Sequence, residues 1–306
     1  MTMPLIRSES FGLDEQVHDL LVKSMIRMST RQVDAWMEFQ YDPSHMFVMI
    51  RNGLVVSCLQ TEARILNMDG HKMQVSVPIL FCTHPDYRLQ KCFGRLLDAA
   101  IQVSACNDLA MLAASDQVKV LEKRSFQRAA RSREYFISAD KLEGYSGQGV
   151  SLWQREDLYP LYCEFLENFP VKVQLDREAF VRRLQYARAS GRKVWVAHDR
   201  EGMPEAFGIS SQSKDQIRFE TVVYENGQAL ASLLKRQVRF ADTICVQTGP
   251  NEALERLFGN CPCKRQMPLL VRLSSWKLAS KALGSEVHNG LEMFEQFPMA
   301  MWMQLL

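Results

Sequence analysis

Two basic residues, Arg88 and Lys91, stand where a strand pattern in the sequence changes into a helical one. Residues 77–82 form an apolar run with the length and the Val, Ile and Phe content of a buried strand. From about residue 90 onward, apolar side chains recur with the period of a helix. The first N–H groups of a helix have no partner within it, and the helix dipole is positive there, so this position favours an anion. The pattern therefore predicts a strand–turn–helix that binds a phosphate group.

The same segment holds side chains that could attack a substrate or accept a proton. Cys82 and His84 are two residues apart, so on a strand their side chains would share one face. A thiol beside an imidazole is a common nucleophile pair. The run is apolar, however, and no carboxylate is evident that would orient the imidazole, which favours a buried structural cysteine. His84 or Asp86 is the alternative candidate, as the base that accepts a proton from an amine.

Residues 85–97, PDYRLQKCFGRLL, resemble the pyrophosphate loop of the GNAT acyl-CoA N-acyltransferases. The family pattern there is roughly P-x-[YH]-R-x-x-G-x-[GA]-x-x-L-[LM]. The matching residues are Pro85, Tyr87, Arg88, Leu96 and Leu97. Lys91 replaces the first glycine of the pattern, and Phe93 replaces the second small residue. A bulky residue at that second position also occurs in the tandem-GNAT "enhanced intracellular survival" (Eis) type, which this chain resembles.

The resemblance implies where an acyl-CoA would lie. The coenzyme A pyrophosphate would bind the backbone amides of residues 88–93, and N–H groups near Phe81 and Cys82 would polarise the thioester carbonyl. The Cβ of Lys91 could crowd this backbone, or its ammonium group could contact a phosphate, and both interpretations stay open. The predicted donor-binding residues are Phe81, Cys82, Arg88, Leu89, Gln90, Lys91, Cys92, Phe93 and Leu121.

A second stretch, residues 120–126 with the sequence VLEKRSF, resembles the F-Y-E-K-x-G-F segment of the same family. The family tyrosine, which protonates the departing thiolate, corresponds to Leu121, and the family glycine corresponds to Ser125. The segment therefore supports the fold, while the usual general acid is missing.

The order of strands and helices predicts the fold class. Residues 4–138 follow the order β-α-α-β-β-β-α-β-α-β, which is the GNAT order, and Pro78 predicts a bulge in the strand before the loop. The expectation is a mixed α/β sheet (α+β) in two tandem GNAT-like domains: residues 1–143 with the acyl-CoA site, and residues 150–273, a degenerate copy without an Arg-x-x-Gly turn near residue 225.

Two further regions are candidates for the amine side of the reaction. In the GNAT interpretation, Trp36, Phe39 and Tyr41 flank the acceptor site; the alternative is that they are core residues. Residues 274–306 form an apolar tail and no third, sterol-carrier-like domain is expected. In Eis-type proteins the last carboxylate accepts the proton of the amine, which would assign that role to Leu306. Alternatively, the tail only covers an apolar groove.

Composition limits the classes of function. The 306 residues suffice for two domains, with 47% hydrophobic and 24% charged residues, as in globular proteins. The net charge of +2 gives no strong field for a nucleic acid or a membrane surface, so neither is predicted as a partner. Without a signal pattern, the eight cysteines are expected to be reduced in the cytoplasm, and their spacing predicts no metal site.

Two functional hypotheses follow. The first is an N-acyltransferase that uses acetyl-CoA or another acyl-CoA as co-substrate and transfers the acyl group directly to a primary amine of a small molecule or a peptide. The second is a non-catalytic module that binds coenzyme A or another metabolite. A homo-oligomer is compatible with either hypothesis.

Overall fold

The computed structural model describes residues 4–26, 28–114, 117–213, 216–250, 252–296 and 301–302. In chain order the strands are β1 (Leu5–Arg7), β2 (Met46–Arg51), β3 (Leu54–Met68), β4 (His71–Thr83), β5 (Ala110–Ala114), β6 (Gln127–Ser138), β7 (Val150–Leu152), β8 (Val171–Gln174), β9 (Lys193–His198), β10 (Pro204–Gln212), β11 (Gln216–Tyr224), β12 (Thr243–Thr248), β13 (Cys263–Leu273) and β14 (Met301–Trp302). The helices are α1 (Asp14–Ser24), α2 (Thr30–Phe39), α3 (Cys92–Asn107), α4 (Val118–Glu122), α5 (Tyr159–Glu167), α6 (Arg177–Ala189), α7 (Gly227–Lys235), α8 (Glu255–Phe258), α9 (Trp276–Leu283) and α10 (Gly290–Glu295).

The described residues divide into two compact units. Unit 1 contains residues 4–129 and 268–296, and unit 2 contains residues 130–267 and 301–302. From β1 to β6 the order of strands and helices is the predicted one. In the second half the predicted order is also present, with the short strand β8 in addition. The mixed α/β fold class is confirmed.

The chain passes between the units inside two strands rather than in a linker. Residues 133–138 of β6 pair with β12 of unit 2, and residues 269–273 of β13 pair with β5 of unit 1. Residues 130–143, which the sequence analysis assigned to the first domain, therefore lie in unit 2. The glycine-containing stretch 143–149 lies within unit 2 as well. Local periodicity predicts a strand but does not determine its pairing partner.

In unit 1 the sheet order is β1-β2-β3-β4-β5-β13. The first four strands are antiparallel to their neighbours. Tight turns at Asn52-Gly53 and Asp69-Gly70 connect β2 to β3 and β3 to β4, and all four turn residues have positive φ. That conformation is the one a two-residue hairpin turn requires, and it is why Asn-Gly predicted a hairpin here. Strand β5 runs parallel to β4, as the intervening helix α3 allows.

The helices of unit 1 cover both faces of this sheet. The ring of Phe81 on β4 lies 4.3 Å from the ring of Phe93 on α3, centroid to centroid. The thiol of the next residue, Cys82, donates a hydrogen bond of 3.8 Å to the carbonyl of Leu20 on α1. Because consecutive strand residues point to opposite faces, α3 and α1 lie on opposite sides of β4. Ser29 stands at the N-cap position of α2, where its side chain accepts a hydrogen bond from the backbone N–H of Gln32.

Unit 2 repeats this arrangement. Its sheet order is β7-β9-β10-β11-β12-β6, in which only β11 and β12 are parallel. Asp176 caps α6, since its carboxylate accepts a hydrogen bond of 2.7 Å from the N–H of Ala179. In the described part of the chain no helix is long and apolar enough to cross a membrane.

Candidate functional site

The predicted strand–turn–helix is present as β4, the loop of residues 84–91 and α3. The hydrogen bonds of α3 begin with the N–H of Arg95, which donates to the carbonyl of Lys91 at 3.1 Å. Lys91, the residue at the N-cap position, makes no side-chain cap hydrogen bond. The N–H groups of Cys92, Phe93 and Gly94 therefore have no acceptor within the helix, which makes this terminus a suitable site for an anion.

Three residues near this terminus, Leu89, Lys91 and Ser125, have a backbone conformation that favours glycine. Lys91 and Ser125 both have a φ of 62°, in the left-handed region. They occupy the two positions at which the GNAT patterns have glycine. Lys91 and Ser125 thus adopt a conformation that glycine adopts without strain, and the Cβ of Lys91 does not prevent the loop from forming.

This observation predicts that Lys91→Gly and Ser125→Gly each raise the free energy of unfolding by about 0.5–1 kcal/mol. A left-handed conformation costs a residue with a Cβ about 1–2 kcal/mol, and the greater flexibility of unfolded glycine offsets about 0.5–1 kcal/mol of that gain. Urea denaturation measures the change. The control is Gln102→Gly at an exposed position of α3, which should lower the free energy by about 1 kcal/mol. A loss of similar size in all three variants would contradict the prediction.

A cavity of about 620 Å³ opens beside the N-terminus of α3. Its walls come from the end of α1, the end of β4, the loop, the start of α3 and the region of α4, all in unit 1. The lining residues are Ser24, Met25, Phe81, Cys82, Thr83, Tyr87, Arg88, Leu89, Lys91, Cys92, Phe93, Gly94, Gln117, Val120, Lys123 and Arg124. Since Phe81 faces α3 and Cys82 faces α1, the cavity lining includes side chains from both faces of the sheet.

The sheet is open at this point. Among the described positions, β4 and β5 pair only where Val75 faces Ala110 and Ser76 faces Met111, in the first half of β4 and at the start of β5. The register of β4 against β3 shifts at Gln60–Thr61, which face Leu80 and Pro78. Ile79 is the extra residue, so the bulge predicted at Pro78 is confirmed. Parting of β4 from β5 leaves backbone N–H groups near the end of β4 without a neighbouring strand on that side.

The charges that line the cavity are all positive. Arg124 is already paired with Asp98, with 3.0 Å between Nη2 and Oδ2, and it lies over Gly94, where an added Cβ would be 2.5 Å from Nη2. Nη2 of Arg88 donates a hydrogen bond of 3.0 Å to the carbonyl of Ser24. Two exposed lysines, Lys91 and Lys123, make no ion pair with any described residue. These two ammonium groups are therefore available to an anionic ligand.

The corresponding position in unit 2 is filled by the protein itself. Asn226 caps α7 by accepting a hydrogen bond of 3.0 Å from the N–H of Ala229, and the side chain of Leu257 packs against Gly227 at the start of the helix. At the end of β11, the hydroxyl of Tyr224 donates a hydrogen bond of 3.1 Å to Glu252, which also accepts one of 2.6 Å from the N–H of Gly249. Burial raises the pKa of Glu252 to about 7.

No protein-family model matches the sequence, and no curated protein matches it either. Solved structures do match the fold. A GCN5-related N-acetyltransferase (GNAT) from Anabaena variabilis aligns over 92% of this chain and 75% of its own, with a TM-score of 0.75 at 13% identity. Eis1 from Mycobacterium abscessus aligns over 92% and 76%, with a TM-score of 0.61 at 12% identity. A tandem GNAT protein from the clavulanic acid biosynthesis pathway aligns over 89% and 99%, with a TM-score of 0.54 at 12% identity.

The chain has the tandem GNAT fold. The predicted resemblance to tandem GNAT proteins, including the Eis type, is confirmed for the fold. In unit 1 the strands β4 and β5 separate next to the N-terminus of α3, where the N-cap residue makes no side-chain cap hydrogen bond. Unit 2 has the same topology with a capped helix.

Most of the predicted donor-binding residues of the GNAT pattern line the cavity. The residues that do so are Phe81, Cys82, Arg88, Leu89, Lys91, Cys92 and Phe93. Gln90 instead supports the loop from outside, accepting a hydrogen bond of 2.7 Å from Arg51 and donating one of 3.0 Å to the carbonyl of Asp86. Leu121 is 1% exposed and packs in the core beneath α3, whereas the preceding residue, Val120, lines the cavity.

The predicted proton acceptors lie beside the cavity rather than in its wall. Nδ1 of His84 accepts a hydrogen bond of 3.3 Å from the N–H of Asp86, and the ring of His84 packs edge-on against Tyr87. Asp86 is exposed. Leu306 lies outside the described residues. The predicted base therefore stays a prediction for all three residues.

The predicted acceptor-site aromatics are also separate from the cavity lining. Trp36 is buried and lies 6.0 Å from the ring of Tyr41, and Phe39 is half-buried at the end of α2. The hydroxyl of Tyr41 donates a hydrogen bond of 2.6 Å to Asp14. Burial, together with this hydrogen bond, raises the pKa of Tyr41 above its ordinary value. The assignment of these three residues to the acceptor site stays a prediction.

Sequence reasoning missed several residues of the cavity wall. Ser24 and Met25 end α1, and nothing in their local sequence indicates that the helix end meets the loop. Lys123 and Arg124 had a usable signal, because two basic residues stand inside the second GNAT-like segment. In the described part of the chain, no group of three His, Cys, Asp or Glu residues is positioned to bind a metal ion.

Proposed function

We propose that this protein is an acyl-CoA-dependent N-acyltransferase with its donor site in unit 1. The observation that carries the proposal is the cationic cavity at an uncapped helix N-terminus, beside the point where β4 and β5 part. The pyrophosphate of the donor would bind the N–H groups of residues 92–94 with Lys91 and Lys123. Its pantetheine arm would pass between Phe81 and the parted strand edge.

The reaction proposed is direct transfer to a primary amine. The amine nitrogen attacks the thioester carbonyl, the C–S bond breaks, and the thiolate leaves. The free N–H groups near the end of β4 would stabilise the negative charge that develops on the carbonyl oxygen. The acceptor, a small molecule or a peptide, would approach from the α1 side, where Ser24, Met25 and Cys82 form the wall.

The departing thiolate needs a proton donor other than Leu121. Hydroxyl and thiol groups are present in the cavity wall on Ser24, Cys82, Thr83, Tyr87 and Cys92. General acid catalysis contributes typically about 10²–10⁴-fold. A slow enzyme, rather than an inactive one, is therefore expected.

The test is acetyl transfer from acetyl-CoA to a panel of primary amines and peptides, with the acetylated product identified by mass. The proposal expects product formation that depends on the cavity: it should fall in the double variant Lys91→Glu/Lys123→Glu and persist in Lys72→Glu/Lys281→Glu. The control lysines are exposed residues of unit 1 outside the cavity. Equal activity in both double variants would contradict the proposed site.

The second candidate is a non-catalytic coenzyme A-binding module. It is favoured by one observation, the apolar Leu121 and Val120 at the positions around the family tyrosine. Binding of coenzyme A without any acetylated product, across the whole amine panel, would support this candidate over the enzyme.

Val120, and not Leu121, is the position at which an added phenol would reach the cavity. Because Val120 lines the cavity, Val120→Tyr should place a hydroxyl there and raise the transfer rate by about tenfold, within the usual range of acid catalysis. Leu121→Tyr should instead overpack the core and lower the free energy of unfolding by about 1–3 kcal/mol. Single-turnover rates and urea denaturation measure the two effects. A faster Leu121→Tyr enzyme with unchanged stability would reverse this assignment.

A further inference from the structure

Two buried cysteines face each other across β3 and β4 at the cavity. Cys58 and Cys82 are register partners in this antiparallel pair, and they are 0% and 3% exposed. The N–H of His84 donates to the carbonyl of Val56 at 2.9 Å, which makes that pair a hydrogen-bonded one. Cys58 and Cys82 lie two residues away from Val56 and His84 on their strands, so they also form a hydrogen-bonded pair. Their Cα atoms are then about 5.5 Å apart and their side chains share one face, within the range of about 4.4–6.8 Å that a disulfide spans.

The two thiols in the cavity wall, those of Cys82 and Cys92, differ in the direction in which their surroundings shift the pKa. The hydrogen bond from Cys58, the Ser24 hydroxyl and the charge of Arg88 lower the pKa of Cys82 although burial opposes them. The second thiol, that of Cys92, donates a hydrogen bond of 3.5 Å to the carbonyl of Tyr87, and burial raises its pKa. Both residues are 3% exposed, so their accessibility does not distinguish them.

The charge and shape of the cavity favour a particular class of sulfur-containing ligand at Cys82. Its positive side chains and the free N–H groups of α3 would hold a phosphate-bearing ligand, while Cys82 lies at the α1 side of the same cavity. A ligand with a phosphate at one end and a thiol or disulfide at the other could therefore bring its sulfur to Cys82. This step rests on the proposed function, because the donor would occupy the same cavity.

We propose that Cys82 is a thiol–disulfide exchange site for the disulfide form of a phosphopantetheine thiol such as coenzyme A, with Cys58 as the resolving thiol. The Cys82 thiolate attacks one sulfur of the ligand disulfide, forms a mixed disulfide and releases one ligand thiolate. Cys58 then attacks the Cys82 sulfur, forms the Cys58–Cys82 disulfide and releases the second ligand thiolate, which takes the proton of Cys58. The two cysteines lose two electrons in total, and the ligand disulfide gains them.

The consequence would be reversible oxidative control of acyl transfer. Either the mixed disulfide or the internal one changes the end of β4, where the thioester would bind. Dithiothreitol should restore both thiols. The activity of the oxidised protein should accordingly be lost and then return on reduction.

The experiment exposes the full-length protein to coenzyme A disulfide and follows each cysteine by peptide mass mapping. In the unaltered protein we expect the Cys58–Cys82 disulfide, and in Cys58→Ser the mixed disulfide on Cys82. Exposed Cys106 serves as an internal reference. Relative to Cys106, Cys82 should react at least tenfold faster with coenzyme A disulfide than with uncharged bis(2-hydroxyethyl) disulfide. The measurement on the unaltered protein stands even if Cys58→Ser does not fold.

Binding of desulfo-coenzyme A, which lacks the sulfur atom, separates the two proposals. If it binds and protects Cys82 from the disulfide, both proposals are supported. If it binds but Cys82 reacts no faster than Cys106, or Cys92 reacts as fast as Cys82, the exchange site is overturned and the donor site stands. If it does not bind at all, the proposed function and the exchange site both fail.

Discussion

Reversing two charges, in Lys91→Glu/Lys123→Glu, is expected to weaken the binding of desulfo-coenzyme A by about 100-fold. Both ammonium groups line the cavity, and neither is paired with a described residue. Each would contact a phosphate in partly exposed surroundings, where about 1.4 kcal/mol, or tenfold in affinity, is a moderate contribution. Raising the salt concentration from about 0.05 to 0.5 M should reduce the affinity of the unaltered protein, because the Debye length falls below 10 Å over roughly this range. The affinity of the variant should change much less.

The matched control is Lys72→Glu/Lys281→Glu, which makes the same change in net charge on exposed residues of unit 1. Its affinity and its salt dependence should remain those of the unaltered protein. Calorimetric titration of both double variants measures the difference. An equal loss of affinity in the two would mean that the general charge of unit 1, and not the cavity, attracts the ligand.

Glu252→Gln is expected to remove much of the pH dependence of stability between about pH 4.5 and pH 7. Burial raises the pKa of this carboxyl from 4.5 to about 7 in the folded chain. The folded chain therefore binds more protons than the unfolded one in this window, so the free energy of unfolding falls as the pH rises through it and stays lower above it. A shift of this size corresponds to about 3 kcal/mol.

The amide oxygen of glutamine can accept the hydrogen bond from the N–H of Gly249, and its NH2 group can donate to the hydroxyl oxygen of Tyr224, without the cost of a buried charge. Relative to the unaltered protein, the variant should therefore gain about 3 kcal/mol on going from pH 4.5 to pH 8. The neighbouring Glu255 provides a control of opposite sign, because the hydrogen bond from Tyr135 lowers its pKa. The stability that Glu255 contributes is lost as the pH falls, and Glu255→Gln should remove that loss. Parallel stability curves for the unaltered protein and Glu252→Gln, measured by urea denaturation across this range, would contradict the assignment.

Local features of the fold could be predicted from the sequence because their causes are local. The Asn52-Gly53 turn, the bulge beside Pro78 and the change from strand to helix near residue 90 all depend on a few adjacent residues. The pairing partners of β6 and β13 depend on strands more than 100 residues away, at residues 243–248 and 110–114. No periodicity in the chain specifies such partners.

The candidate site, like the fold, could be predicted only where it depends on consecutive residues. The loop pattern located most of the cavity wall, because its residues are consecutive. The orientation of α4 was not predictable, because one residue along a helix turns a side chain by about 100° and a motif match does not show which side faces the cavity. Leu121 therefore lies in the core while Val120 lines the cavity. Glu252 was missed for a different reason, since its burial depends on how β11 and the segment after β12 pack.

Titration of the protein with desulfo-coenzyme A in a calorimeter tests the central claim most directly. The proposed donor site predicts one binding site per chain, weakened by Lys91→Glu/Lys123→Glu and unchanged by Glu252→Gln, because α3 of unit 1 starts without a side-chain cap at a cationic cavity, whereas Asn226 caps the corresponding helix α7 of unit 2. Two equivalent sites per chain, or no binding at millimolar ligand, would contradict it.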